Sequence, residues 1–236
     1  MPQTALIAGV GPGLGESLAR KFAAEGCQVG LLARTESYVA ELAADLPTAA
    51  VGVDCDLTDP DDVVTAVETV RDELGPVEIL VNHASGGAWK GIDDLTVDEL
   101  DHAHAVGVRG GFCCTRAVVD DMREAGGGTV IFTGATSALR GREGALAFSA
   151  AKFGVRGMAE SLARELGPEG IHVAHVVIDG QILPPELREE GAEGGAPETE
   201  EYLDPDAIAE SYWHLVEQER SAWTLELDLR PHVEEF

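Results

Sequence analysis

The residues of this chain best suited to chemistry are glycines. In Leu6-Ile7-Ala8-Gly9-Val10-Gly11-Pro12-Gly13-Leu14-Gly15 an apolar run ends in a glycine cluster, after which Leu18, Ala19 and Phe22 recur at helical spacing. The pattern predicts a strand over Ala5 to Ala8, a tight turn, and a helix. Glycine lets a ligand approach the main chain without side-chain obstruction, and the first N–H groups of the helix, with its dipole, point at an anion. The chemistry that suits such a turn is the cradling of a diphosphate, although the same glycines could simply pack a helix on a strand. Gly9, Gly13 and Gly15 fit GxxxGxG, whereas G-x-G-x-x-G would need glycine where Leu14 or Glu16 stands.

Composition narrows the partners. Asp and Glu number 43 against 16 Lys and Arg, a net charge of −27, and the lysines are Lys21, Lys90 and Lys152. Such a surface repels nucleic acid. Spread through a chain that is 44% apolar, it argues against a disordered acidic protein and for a folded one adapted to concentrated salt, as in a halophilic organism. Cys27, Cys55, Cys113 and Cys114 form no C-x-x-C pair, so neither a disulfide framework nor a metal site is expected. No apolar run approaches the roughly 18 to 20 residues that cross a bilayer, and Met1-Pro2-Gln3-Thr4 lacks a basic leader, so a soluble, cytoplasmic chain without a membrane partner is expected.

A frame must hold the glycine turn, and the chain supplies it by alternation. Gln28 to Arg34 reads as a second strand, Glu36 to Leu46 as a helix and Thr48 to Cys55 as a third strand. Pro60 to Leu74 follows as a helix with Val63, Val64, Val67 and Val70 on one stripe, then Val77 to Asn82 as a fourth strand. Val97 to Glu124 is a long helical stretch weakened at Gly107, Gly110 and Gly111, and Gly126 to Gly128 end it before a fifth strand, Thr129 to Thr133. A helix over Ala145 to Leu166, a sixth strand over Ile171 to Ile178, a helix over Asp206 to Gln218 and a seventh strand over Ala222 to Leu229 complete the series. The alternation predicts right-handed β-α-β units in a parallel sheet, hence a single α/β domain over residues 1–236 with no repeat. The Glu-, Gly- and Pro-rich segment at about 181–205 reads either as a solvated loop or as a lid over the site.

Taken together these residues resemble the short-chain dehydrogenase/reductase family over nearly the whole chain. Ala8 to Gly15 resembles its TGxxxGxG loop, Asp56-Leu57-Thr58 its adenine-side aspartate, Asn82-His83-Ala84-Ser85 its NNAG strand end, and Ile178-Asp179-Gly180 its Pro-Gly corner. The resemblance implies a Rossmann-type doubly wound domain, a seven-stranded sheet of order 3-2-1-4-5-6-7 with helices on both faces, and a nicotinamide dinucleotide across the carboxyl ends of the strands. It assigns cofactor binding to Gly9, Gly11, Gly13, Leu14, Gly15, Asp56, Leu57, Asn82, Ala84, Lys152, Gly180 and Ile182. It also implies a homodimer or homotetramer joined through the last strand and the helices at 97–124 and 145–166.

The end of the second strand bears on cofactor choice. An acidic residue there would bond a ribose 2′-hydroxyl and repel a 2′-phosphate, but the chain carries Ala33-Arg34-Thr35. Arg34, with Thr35 as a second donor, predicts NADP(H) in preference to NAD(H).

The reacting residues depart from the family. Its Tyr-x-x-x-Lys pair becomes Phe148 and Lys152, its serine falls on Ala135, and its helix asparagine on Gly107. Phenylalanine has no proton to give to the oxygen on which hydride transfer builds charge, a loss of roughly two to four orders of magnitude. Lys152 keeps the family role toward the nicotinamide ribose. Thr136, Ser137, Ser149, His83 and Tyr202 are the groups available to replace the lost acid, with Ser137 and Tyr202 the first to test; each also has an ordinary structural explanation. Several blocks, among them Phe148 to Gly154 and Ser221 to Pro231, are similar to a divergent microbial subgroup of the family. The leading expectation is an NADP(H)-linked oxidoreductase of an unidentified small carbonyl or alcohol with an atypical active site; the alternative is a catalytically silent dinucleotide-binding protein with a sensing or scaffolding role.

Overall fold

Short apolar runs that stop at glycines become the centre of the sheet. In the computed structural model, which describes residues 2–187 and 200–234, the elements are β1 (Thr4–Ala8), α1 (Leu14–Ala24), β2 (Gln28–Ala33), α2 (Glu36–Asp45), β3 (Ala50–Asp54), α3 (Pro60–Leu74), β4 (Val77–Asn82), α4 (Val97–His104), α5 (Gly110–Ala125), β5 (Gly128–Thr133), α6 (Leu146–Leu166), β6 (Ile171–Ile178), β7 (Gln181–Ile182), β8 (Tyr202–Leu203), α7 (Pro205–Glu217) and β9 (Glu226–Leu229). Seven strands form one parallel sheet in the order β3-β2-β1-β4-β5-β6-β9, the order expected, with β9 as its seventh member. The order reverses between β1 and β4, and Ala8 pairs with both Leu32 and Asn82, so three strands end together beside the glycine turn.

Both faces of the sheet are covered, which is why β1 and β6 are buried at every position rather than in alternation. Successive side chains still point to opposite faces. Ala5 and Ile7 pack with Leu18 and Phe22 of α1, Val39 and Leu42 of α2, and Ile208, Tyr212 and Leu215 of α7. Leu6 and Ala8 pack with Val63, Val67 and Val70 of α3, Val118 and Met122 of α5, and Val155 and Ala159 of α6.

Helix ends follow local chemistry. The Asp59 side chain accepts from the Asp61 N–H at 2.9 Å with Pro60 in the first turn of α3, and Thr96 and Glu99 cap α4 reciprocally. Gly126, left-handed at φ 76°, stops α5. The chain is helical through α4 and α5, but Ala105–Arg109 between them, which includes Gly107, winds as a π-helical turn. Close packing accounts for Gly110 and Gly111, at the start of α5: a Cβ on Gly110 would lie 3.0 Å from the Leu57 carbonyl oxygen, and one on Gly111 3.2 Å from the Phe132 ring, whereas one on Gly107 would make only ordinary contacts.

Two strands are shorter than the sequence pattern predicts. The third strand is trimmed to Ala50–Asp54, and the last strand begins at Glu226 rather than Ala222. Residues Arg220–Ala222 form a 3-10 turn instead, because Trp223 stacks on His172 with ring centres 4.9 Å apart and its indole N–H donates to the Gln218 carbonyl at 3.2 Å. Of the segment at 181–205, residues 188–199 lie outside the described residues; its two ends are β7 and β8, which pair in parallel through Gln181 with Tyr202 and Ile182 with Leu203.

Candidate functional site

The carboxyl ends of β1, β2, β3 and β4 surround a cleft of about 420 Å³. Gly9, Gly11 and Gly15 form its floor, Arg34 and Thr35 one end, Asp56 and Leu57 the adjoining wall, and His83, Ala84, Ser85, His102 and Val106 the opposite side. Gly9 and Gly13 are required by their backbone conformation, whereas a Cβ on Gly11 would meet nothing within 4 Å. Gly9 has φ +99°, and a Cβ there would lie 2.5 Å from the backbone of Ala84, whose N–H donates to the Ala8 carbonyl at 2.8 Å. Gly13, at φ +96°, is the N-cap of α1 and supplies no side-chain cap, so the first N–H groups of that helix are left for an anion. A turn that excludes Cβ atoms and opens onto an uncapped helix end fits the diphosphate of a dinucleotide.

At the nucleoside end, Asp56 Oδ1 accepts from the Thr58 N–H at 2.9 Å and the Thr58 hydroxyl at 2.8 Å, and these bonds hold its carboxyl below the usual range. Arg34 and Thr35 are exposed. The Thr35 side chain makes no cap bond to α2, and no described carboxylate lies within salt-bridge distance of Arg34, whose charge does help keep Asp56 ionised. Leu14 and Leu57 are buried supports, and Ile182 packs against the core on the α1 side. Asn82 lies beneath the cleft: its Nδ2 donates to the Thr115 hydroxyl at 3.3 Å, while its buried Oδ1 has no protein partner. It lines a small void of about 10 Å³ with Gly107 and Thr133.

Lys152 is buried on α6, and its Nζ donates to the Thr133 carbonyl at 2.8 Å while lying 5.5 Å from the Phe148 ring centre. Burial lowers its pKa from 10.5 to about 8. On the same strand end, His83 Nδ1 meets the Thr133 hydroxyl at 3.2 Å, and that hydroxyl meets the Tyr212 hydroxyl at 2.8 Å. Burial, reinforced by the Lys152 charge, pushes His83 down to about 4, so its imidazole is neutral at pH 7. The Phe148 ring packs on Trp89 at 5.1 Å. Ala135 leads into the turn Thr136–Ala138.

The substitute acids named from the sequence are dispersed. Ser137 is 1% exposed, and Ser149, also buried, accepts from the Arg142 N–H at 3.4 Å. Thr136 donates to Asp179 at 2.6 Å. Tyr202 and Gly180 line a second cleft of about 690 Å³ together with Thr136, Arg140, Gly141, Arg142, Gln181, Glu201, Val233 and Glu234. His102 and Val106 carry no sequence pattern; they reach the first cleft from the end of α4 and from the π turn. Arg140 and Arg142, two cations one residue apart in an acid-rich chain, belong to no motif.

Among the described residues no group of three or more His, Cys, Asp or Glu side chains could hold a metal ion, and no helix is long and apolar enough to cross a membrane. All four cysteines are free.

Residues 3–187 match the sequence profile of the short chain dehydrogenase family. The chain is 36% identical over 175 residues to a D-xylose 1-dehydrogenase of Caulobacter vibrioides, covering 73% of this chain and 69% of that one. A crystal structure of a short-chain dehydrogenase from Rhodopseudomonas palustris superposes with a TM-score of 0.83 at 32% identity over 98% of this chain and 99% of the other. A 3-ketoacyl-(acyl-carrier-protein) reductase from Brucella melitensis, complexed with NADH, superposes with a TM-score of 0.85 at 28% identity over 98% and 97%. The glycine turn, the doubly wound sheet and these likenesses agree, and the chain belongs to the short chain dehydrogenase family of oxidoreductases.

Proposed function

We propose that this chain is an NADP(H)-linked oxidoreductase of a small carbonyl or alcohol in which Lys152, not a tyrosine, handles the proton. The observation that carries the cofactor choice is the end of β2, where Arg34 and Thr35 border the dinucleotide cleft without a described carboxylate bound to the guanidinium. A 2′-phosphate there would gain charge-assisted bonds from Arg34. A dinucleotide held by the glycine turn, Asp56 and Arg34 would supply or accept the hydride through its nicotinamide.

The chain's own part is to move one proton. Phe148, whose ring lies between Lys152 and the exposed Trp89, puts an apolar surface beside Nζ. The Lys152 ammonium spends one N–H on Thr133 and keeps two; with a pKa of about 8 it is charged at neutral pH yet gives up a proton readily. In the reductive direction Nζ protonates the substrate oxygen as negative charge develops, and in the oxidative direction neutral Nζ accepts the hydroxyl proton. His83, neutral, takes no part of that charge but fixes Thr133 through its hydroxyl.

Calorimetric titration with NADPH and NADH, followed by nicotinamide absorbance with a panel of carbonyl compounds and alcohols, tests the proposal. NADPH should bind more tightly and be consumed. Tighter NADH binding refutes the part given to Arg34, and binding without turnover across the panel refutes catalysis in favour of a silent dinucleotide-binding protein. We further propose a homodimer or homotetramer, supported by the exposed Val97 of α4, Phe112 of α5 and Phe153 of α6, and checked by light scattering in concentrated salt.

A further inference from the structure

The cofactor reading leaves the larger cleft unexplained. Arg140 and Arg142 converge on its 690 Å³, in a chain whose net charge is −27. Other arginines are spent on carboxylates: Arg20, Arg71, Arg123 and Arg156 each hold one at 2.6–3.0 Å. Arg142 holds none among the described residues; its guanidinium carbon lies over the Trp89 ring, 5.8 Å from its centre. Arg140 stands 3.6 Å from Asp179, beyond good hydrogen-bond length, and that carboxylate is already served by Thr136 at 2.6 Å and faced by Arg230 at 3.5 Å. The Tyr202 hydroxyl is a third donor at the cleft, without a partner among the described residues. Glu201 and Glu234 also line it, so an anion would be held by aimed donors and not by an overall positive field.

A line of side chains in contact joins the cleft to Lys152. Arg142, Trp89, Phe148 and Lys152 form a continuous stack with successive separations of 5.8, 5.1 and 5.5 Å. On this reading a substrate whose reacting carbon lies beside Lys152 would run along that line of side chains and end at Arg142. We infer that this cleft is a subsite for an anionic head group, carboxylate or phosphate, carried by the substrate at a distance from its carbonyl or alcohol carbon. The inference rests on reading Lys152 as the reaction centre and narrows the substrate class to anionic carbonyl or alcohol compounds.

The test is calorimetric titration of the full chain, at fixed ionic strength and with NADPH present or absent, with succinate, inorganic phosphate and the neutral diamide succinamide. At least one anion should bind, at least tenfold more tightly than succinamide, and the tighter of the two identifies the head group. Arg142→Gln should weaken that anion at least fivefold, and Arg140→Gln should do the same. Arg164→Gln, at an exposed position on α6, should change nothing. All three variants should keep the wild-type affinity for NADPH, and Arg142→Gln, which breaks no described ion pair, should melt as wild type. Equal affinity for succinamide, equal effects of Arg142→Gln and Arg164→Gln, or absence of binding by both anions overturns the inference. Anion binding without NADPH binding would leave the subsite standing and remove the cofactor reading; NADPH binding without anion binding would do the reverse.

Discussion

Lys152 should weaken the fold it serves. Its ammonium is buried with one bond to Thr133, and a pKa of about 8 in place of the ordinary 10.5 corresponds to a cost of about 3 kcal/mol when it is charged. Lys152→Met removes that cost and fills a similar volume, at the loss of a bond to the Thr133 carbonyl worth about 1 kcal/mol. At pH 7, without cofactor, the variant should be more stable by about 2 kcal/mol, a rise in melting temperature of about 4–8 °C for a domain of this size. The sign of the pH dependence follows from the direction of the shift. Because the folded pKa lies below the unfolded one, the unfolded chain binds the extra proton between about 8 and 10.5, and wild-type stability gains as pH rises through that window. The variant's advantage must therefore be constant below about pH 8 and shrink above it. Denaturant melts of both proteins at pH 7, 8, 9 and 10, compared as differences at each pH, provide the measurement. A variant less stable than wild type at pH 7, or an advantage that does not change with pH, refutes the assignment of a desolvated ammonium. Wild-type reductase activity should fall in parallel as pH rises through about 8, since only charged Lys152 can donate.

Three further outcomes are expected. Arg34→Ala should weaken NADPH binding about fivefold to tenfold, the worth of one solvent-screened charge-assisted contact, and leave NADH within twofold; equal losses in the two titrations would remove Arg34 from phosphate recognition. Gly9→Ala should abolish dinucleotide binding and destabilise the fold by about 2 kcal/mol or more, because its Cβ would lie 2.5 Å from the Ala84 backbone and φ is +99°; a variant with wild-type affinity in the same calorimetric assay would contradict the cradle. Thermal melts should shift upward from low salt to molar potassium chloride as the net charge of −27 is screened, and a melting temperature independent of salt would show that self-repulsion does not limit stability.

Most of the frame was legible because it is written in short, local patterns. The apolar strands, the glycine turn and the valine stripe of α3 each declare themselves within about a dozen residues, and the strand order followed once the family resemblance was seen. The last strand was over-extended because Trp223 and Thr224 look like strand residues, yet Trp223 turns aside to His172, a partner 51 positions upstream that no local pattern reveals. The same reason hid the chemistry around Lys152. His83, Thr133 and Tyr212 join across 50 and then 79 positions, and each looks ordinary where it stands. The absence of tyrosine and serine at positions 148 and 135 was visible at once; what surrounds Lys152 in their place was not.

The sheet divides the interior into two compartments that share no side chain, one beneath α1, α2 and α7 and one beneath α3, α5 and α6. Such compartments can drift independently: a substitution pair split between them, well separated and without a common neighbour, should add in free energy. Thr133 is where that independence ends. Its carbonyl accepts from Lys152 on α6 and its hydroxyl meets Tyr212 on α7, so a change in the packing of either compartment is transmitted to one residue at the reaction centre. Sequence change deep on the α7 side, far from any ligand, is thereby a route to retuning the lysine on the other.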